Sequence, residues 1–390
     1  MSDTRIQRQH VKAVNLTDPI EKIATCARVC YKSEPKGEDA NLRLVNRLFK
    51  SGHTSTYEHV YIIIEPPTKE MMDDYVKEVG DTGPSTMDPK HVGILLYSEL
   101  RRNLPTITDF FFENPDPRRP GVVGDIRAFV DLINDARRIA KDMKLVPGWV
   151  APLMAALHKY CPIDAFSPLD GISRDAIRRA GLDGNLLRIS EYDGYQTVII
   201  DTARMMTHEL VRHRVEFSYS QESTRYCRYS DGLHITVSEP IYAATVENRD
   251  YGVSEKYDLT ARCYKTILDK AQELYLQMIE AGIQPQIARG VLPLCTSATI
   301  AVTATKKAWR HWLKLRDASD ADPMMQELAK LVKAQLPLER WDQQDKEVND
   351  YLENKRKEYE ARVEAEQKDR NKNTRVIDAS PKTPNVEVAP

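Results

Sequence analysis

At 390 residues, 41% hydrophobic and 29% charged, the chain has material for roughly two or three domains and the make-up of a soluble protein. Its 56 basic and 58 acidic residues nearly cancel, which argues against a duplex nucleic-acid binder, and 7% aromatics give no sign of a single-strand stacking platform. No segment approaches the ~20 apolar residues of a membrane helix, and the opening MSDTRIQRQH lacks the apolar core of a signal peptide.

Residues 18–31, DPIEKIATCARVCY, place Ile20, Ile23, Ala24, Ala27 and Cys30 at helical spacing. A second amphipathic helix runs from Leu42 to Lys50, with Gly52 as its C-cap. HTSTYEH follows, then a β-branched strand from Val60 to Glu65 that Pro66-Pro67 stops. Residues 68–190 read as inserted material with two helices, Asp125 to Met143 and Gly148 to Lys159, among proline-rich connections such as ENPDPRRPG. YQTVIIDT (195–202) is a strand that runs into a helix over Ala203 to Arg212. Asp258 to Ala281 is a long helix with Leu259, Cys263, Ile267, Ala271, Leu274 and Met278 on one stripe, closed by Gly282. A small, threonine-rich run (Thr296, Thr299, Thr303, Thr305) precedes helices over 306–318 and 323–335. The stretch 345–367 is a solvated helix at best and the last twenty residues are expected to be disordered. The fold expected is α+β: a mostly antiparallel sheet from strands near 60–65, 195–202 and 233–238, with packed helices. Residues 1–340 form one domain, 68–190 being an inserted helical region, and 341–390 form a charged tail. Six scattered cysteines (26, 30, 161, 227, 263, 295) complete no zinc site and read as reduced thiols of a cytosolic protein.

The densest chemistry lies in ELVRHRVEFSYSQESTRY, 209–226, where arginines and hydroxyls crowd together. Arginine forks suit phosphate oxygens, and hydroxyls complete an anion cradle. There is no G-x-G-x-x-G and no G-x-x-x-x-G-K-[ST]. His208-Glu209 begins like a zinc H-E-x-x-H, but Arg212 stands where the second histidine belongs, so no metal is expected. GHTSTYEH (52–59) gathers His53, Ser55, Glu58 and His59; alone it reads as a capped turn. Arg289 and Arg316, each alone, read as surface charges, with Arg316 complementing a helix C-terminus.

Together, GHxSxxEH, then RHR followed by SQESTRY, then ARxxLP with T…T…W.HxLxLR resemble the flavin-dependent thymidylate synthases, over roughly residues 18–65, 195–240 and 258–335. GDIRAF (124–129) and YCPIDAF (160–166) weakly echo the longer variant of the family. One departure is spacing: Val215 to Glu222 is eight residues where the family has seven, so a residue near Glu216 is expected to bulge. Another is Thr305, where the family often has Asn.

The resemblance implies conversion of dUMP to dTMP, with methylenetetrahydrofolate as carbon donor and NADPH as reductant through FAD, and no cysteine nucleophile, so Cys227 is read as structural. For FAD it implies Arg212, His213 and Arg214, with His53, Ser55, Thr305 and His311. For dUMP it implies Ser223 and Arg225 on the phosphate, aided by the Glu222 backbone N–H, with Glu209, Arg289 and Arg316. Arg316 is expected to stabilise charge on the uracil, with His53 the second catalytic candidate. A homotetramer with shared sites and a cytoplasmic location are further implications, with no nucleic-acid or membrane partner. The alternatives are a related flavin-dependent pyrimidine nucleotide (hydroxy)methyltransferase and a non-catalytic nucleotide-binding protein.

Overall fold

A computed structural model describes residues 5–35, 37, 39–79, 97–103, 111–143, 150–167, 187–229, 232–247 and 254–377. Ten strands lie within them: β1 (Ile6–Arg8), β2 (His10–Ala13), β3 (Tyr61–Glu65), β4 (Phe112–Glu113), β5 (Val122–Asp125), β6 (Arg188–Glu191), β7 (Tyr195–Ala203), β8 (Phe217–Gln221), β9 (Ile235–Val237) and β10 (Ser297–Thr305). The architecture is α+β. The strands form two antiparallel four-stranded sheets, ordered β2-β7-β10-β8 and β4-β5-β3-β6, and a two-stranded parallel pair, β1-β9.

This corrects the single sheet expected from the sequence, because β3, β7 and β9 belong to three different sheets. The reason lies in the partners. β3 takes its neighbours, β5 and β6, from across the inserted region, and β7 takes β10, the threonine-rich run. β10 pairs along all nine residues with β7, from Ser297↔Ala203 to Thr305↔Tyr195, and with β8 on its other edge. Its small and β-branched side chains are almost all buried, which suits a central strand covered on both faces.

The stretch 68–190, expected to be an insertion, contributes to the core. Ile126, Phe129 and Ile133 of helix Ile126–Met143, and Leu153 and Leu157 of helix Val150–Tyr160, share one apolar cluster with Ile23, Val45 and Ile62. A fully buried side chain of this size contributes about 1.5–3 kcal/mol. On β3, Ile62 and Ile64 face this cluster while Tyr61 and Ile63 face a second one with Val123 and Tyr195, the period-2 alternation of a strand. A third cluster joins Leu268 and Tyr275 of helix Ser254–Glu280 to Ile6, Ile235 and Val237 of the parallel pair.

The chain divides into two compact units, Met1–Pro115 with Arg119–Pro337, and Asp116–Arg118 with Leu338–Pro390. The second unit is dominated by one helix, Leu338–Ile377. Its exposed surface is laced with pairs one turn apart, such as Lys355–Glu358 at 2.8 Å and Lys357–Glu353 at 2.7 Å, each worth only a few tenths of a kcal/mol. Of the end expected to be disordered, residues 378–390 lie outside the described residues. No helix among the described residues is long and apolar enough to cross a membrane.

Candidate functional site

The first motif is delivered by a helix stop. Helix Ala40–Lys50 ends at Gly52, whose φ of 74° needs no Cβ penalty. The His53 N–H then donates to Leu48 O at 2.9 Å, and a 3-10 helix spans Thr54–His59. His53, just before it, and Ser55, on it, are exposed. The capped turn that this segment suggests on its own does not form: the 3-10 helix has no side-chain cap, and Glu58 pairs with Arg127. His59, to which the sequence reading gave no role, is fully buried. Its Nδ1 lies 2.7 Å from Thr303 Oγ1 and its Nε2 2.9 Å from Ser220 Oγ, and Thr303 in turn meets Thr197 at 2.6 Å. This ring therefore ties the 3-10 helix to β8, β10 and β7. Burial, with a smaller push from the Lys22 charge, lowers its pKa to about 3 and keeps it neutral. The GHxSxxEH motif itself was the available signal, through its second histidine.

The second motif starts at helix Arg204–Leu210, shorter than the Ala203 to Arg212 expected. Its end is tight: the Arg212 and His213 N–H groups donate to Glu209 O and Leu210 O at 3.3 and 3.1 Å. The Tyr219 hydroxyl lies 2.8 Å from Leu210 O and 2.6 Å from His213 O, fixing the turn. His213 is thereby folded back beside Glu209. Into this corner comes Arg316, at the end of helix Lys306–Arg316. Trp312, one turn earlier and fully buried, sets the face on which Arg316 lies. Arg316 Nε donates to His213 Nε2 at 3.0 Å and Nη1 to Glu209 Oε2 at 3.3 Å. Accepting through Nε2 requires a neutral imidazole with its proton on Nδ1. Burial first, then the charges of Arg316 and His311, lowers the His213 pKa in agreement. Arg212 and Arg214 are exposed, and among the described residues their guanidinium groups make no hydrogen bond or ion pair. His311 is exposed on the same helix as Arg316.

Where the spacing suggests a bulge, Glu216 holds a left-handed φ of 60° just before β8. Its carboxylate accepts from the Thr305 hydroxyl, which also caps helix Lys306–Arg316 by accepting from Ala308 N at 3.2 Å. Thr305 is 4% exposed, and its hydroxyl serves both the helix cap and the Glu216 turn.

The third group lies past β8. The Ser223 N–H donates to Cys30 O at 3.0 Å, and Ser223 Oγ accepts from the Arg225 N–H at 3.3 Å. Arg225 is exposed, its guanidinium 5.6 Å from the Tyr226 ring centre. Arg289, far along the chain, reaches the same segment: Nη1 donates to Thr224 Oγ1 at 3.3 Å. The Glu222 N–H, expected to meet a phosphate, donates instead to Thr299 O at 2.8 Å. Among the described residues no hydrogen bond or ion pair links the Glu209–His213–Arg316 group to the Ser223–Arg225–Arg289 group within one chain. Arg204 stands between them, on the helix that carries Glu209 and 3.2 Å from Glu222 O. All six cysteines are unpaired, and no cluster of three or more potential metal ligands occurs among the described residues.

The first group thus offers an arginine braced by a neutral histidine and a carboxylate, in a turn that also carries the unpaired guanidinium groups of Arg212 and Arg214, and the second offers the exposed Arg225. That is a place for phosphate oxygens and for charge developing on a bound ring.

Comparison with known proteins gives a family whose profile, described as thymidylate synthase complementing protein, matches residues 12–66 and 177–338. The chain is similar to the flavin-dependent thymidylate synthase of Mycobacterium tuberculosis (strain ATCC 25618 / H37Rv), at 32% identity over 152 residues, 38% of this chain and 59% of the relative. The protein of that name from Streptomyces avermitilis is 27% identical over 165 residues, 38% of this chain and 63% of the relative. That from Mycobacteroides abscessus is 31% identical over 150 residues, 37% of this chain and 57% of the relative. The chain therefore spans 59% of the length of the Mycobacterium tuberculosis relative.

Proposed function

The chain belongs to the thymidylate synthase complementing protein family, and on that premise we propose that it is a flavin-dependent thymidylate synthase, methylating dUMP to dTMP with methylenetetrahydrofolate as carbon donor and NADPH as reductant. The observation that carries the reading is the contact of Arg316 with both His213 and Glu209, which unites two motifs a hundred residues apart in one anion-directed corner.

The residues fit an FAD. Arg212 and Arg214 present two guanidinium groups with no partner among the described residues, suited to a diphosphate. His53, Ser55 and His311 are exposed polar groups that complete this half, and His213 orients the turn. Thr305 acts on it through the helix cap and Glu216. When bound, the flavin supplies the hydride chemistry.

For the nucleotide, Ser223, Arg225 and Arg289 hold the phosphate, with Arg289 already hydrogen-bonded to the segment between the other two. Glu209 and Arg316 meet the pyrimidine. The Arg316 guanidinium stabilises negative charge on the uracil carbonyls, and a fixed donor of this kind contributes about 3 kcal/mol to lowering a barrier. Its Nε bond to neutral His213 and its Nη1 bond to Glu209 fix the plane of the fork before substrate arrives. His53 belongs to the cofactor side. A homotetramer, in which one chain's Ser223–Arg225 segment meets the flavin half of another, accounts for two groups that share no hydrogen bond or ion pair among the described residues of one chain. Six unpaired cysteines suit a reducing, cytoplasmic compartment.

The test is to purify the protein and record its visible spectrum, before and after adding FAD, and then the reoxidation of the reduced enzyme with dUMP and the folate. With oxygen excluded, a flavin band that bleaches with NADPH and returns only when both substrates are present is expected. A protein that stays colourless and takes up no FAD would contradict the reading.

A further inference from the structure

Glu222 precedes the phosphate-directed Ser223 and is buried at 3% exposure. A buried carboxylate is costly unless its oxygens are satisfied by hydrogen bonds or opposite charge. Here they are. The Tyr229 hydroxyl donates to Oε1, the Lys32 ammonium lies 3.0 Å from that oxygen, and the Thr299 N–H donates to Oε2 at 3.3 Å. The backbone of the same residue is held as well, its N–H on Thr299 O at 2.8 Å and its C=O accepting from Arg204 Nη2 at 3.2 Å. One residue thus binds β10, helix Arg204–Leu210, the turn after helix Pro19–Tyr31, and Tyr229.

These anchors bracket the segment that carries Ser223, Thr224 and Arg225. On its near side Ser223 N–H bonds Cys30 O. On its far side the Tyr226 ring lies 5.4 Å from that of Tyr31, and Tyr229 returns to Glu222. Lys32 serves both ends, since its ammonium also sits 5.2 Å from the Tyr229 ring centre. An apolar residue at 222 would fill the space, yet it would leave the Thr299 N–H and Lys32 without this acceptor and would not fix the direction in which the next residue points.

We infer that Glu222 is a positioning residue: its buried carboxylate, gripped by Tyr229, Lys32 and the Thr299 amide, aims Ser223 and Arg225 at the phosphate of the bound nucleotide. The inference rests on the reading of this segment as the dUMP phosphate grip, and it replaces the direct N–H contact expected of Glu222.

Because a cavity of about 460 Å³ borders Glu222, the test uses the near-isosteric Glu222→Gln. Its amide keeps only one accepting oxygen, so it cannot accept from both the Tyr229 hydroxyl and the Thr299 N–H, and it carries no charge for the Lys32 ammonium. Dissociation constants for dUMP and for deoxyuridine, which lacks the phosphate, are measured on the flavin-loaded enzyme, with the melting temperature alongside. The expected result is dUMP binding weakened roughly tenfold or more, the loss of about one charge-assisted hydrogen bond, with deoxyuridine binding unchanged. Tyr229→Phe, which removes one donor, is the second variant and should weaken dUMP selectively by a smaller factor; it keeps the test decisive if Glu222→Gln fails to fold. Equal losses for both ligands, or dUMP binding as in the wild type, would overturn the inference. A wild-type enzyme that binds dUMP no better than deoxyuridine would instead overturn the reading of the phosphate grip, and the inference with it.

Discussion

Arg316 Nε donates to His213 Nε2 across 3.0 Å, so the last residue of one helix is held by the middle residue of the RHR triplet. The bond needs the planar fork of arginine, because lysine has no donor at the Nε position. Arg316→Lys is expected to keep its flavin and its fold and to lose turnover by roughly a hundredfold or more, the range for removal of one preorganised donor. Steady-state kcat with flavin content measured in parallel checks this; an unchanged kcat would remove Arg316 from the chemistry.

Subunit sharing has its own test. Arg225→Ala and His53→Ala chains, each inactive alone, are expected to recover part of the activity when dissociated and reassembled together, since some sites then draw an intact flavin half and an intact phosphate half from different chains. Mixed oligomers verified by tagged pull-down that show no recovery would count against shared sites.

His59 predicts a pH dependence. Its imidazole is held down to about 3 in the folded protein, by burial first and the Lys22 charge second, against about 6.5 in the unfolded chain. Between these values the unfolded state binds a proton that the folded state does not, so stability is complete above pH about 6.5 and falls as pH drops, by about 1.4 kcal/mol per unit. His59→Gln should lower stability at neutral pH, because the Thr303 and Ser220 hydroxyls lose their ring partner, and should show a shallower decline between pH 6 and 4. Parallel wild-type and variant slopes in denaturant titrations would contradict the assignment.

Thr305→Ala removes a helix cap and the hydroxyl that holds Glu216. The expected loss of stability is about 1 kcal/mol, read as a lower urea midpoint, with flavin affinity changed far less. Loss of flavin at unchanged stability would return Thr305 to the role of a direct contact.

The sequence carried the helices well, because an apolar stripe every 3.6 residues is local information. Pro19–Tyr31, Ala40–Lys50 and Pro323–Lys333 lie close to where the pattern puts them. Gly52 and Gly282 end helices with φ of 74° and 80°, as their positions in the sequence imply. Glu216, flagged by motif spacing alone, is one of three non-glycine residues among those described with positive φ. The strands expected near 60–65, 195–202 and 233–238 are β3, β7 and β9, but how strands pair into sheets was hidden. SATIAVTAT, now the centre of a sheet as β10, has no alternation to read because both its faces are covered, and β8 lay inside a stretch read for its charges. Strand pairing joins residues a hundred positions apart, such as Ile300 with Ile200, which local pattern does not encode. The carboxylate of Glu222 was invisible for the same reason: its partners Lys32 and Thr299 come from distant segments.

The central claim is methyl transfer to carbon 5 of dUMP, and release of tritium from dUMP labelled at that carbon measures it most directly. With methylenetetrahydrofolate, NADPH and the flavin-loaded enzyme, tritium release matched by dTMP formation is predicted, and both should vanish together when the folate is withheld. Flavin-loaded protein that binds dUMP yet releases no tritium and forms no dTMP would contradict the account.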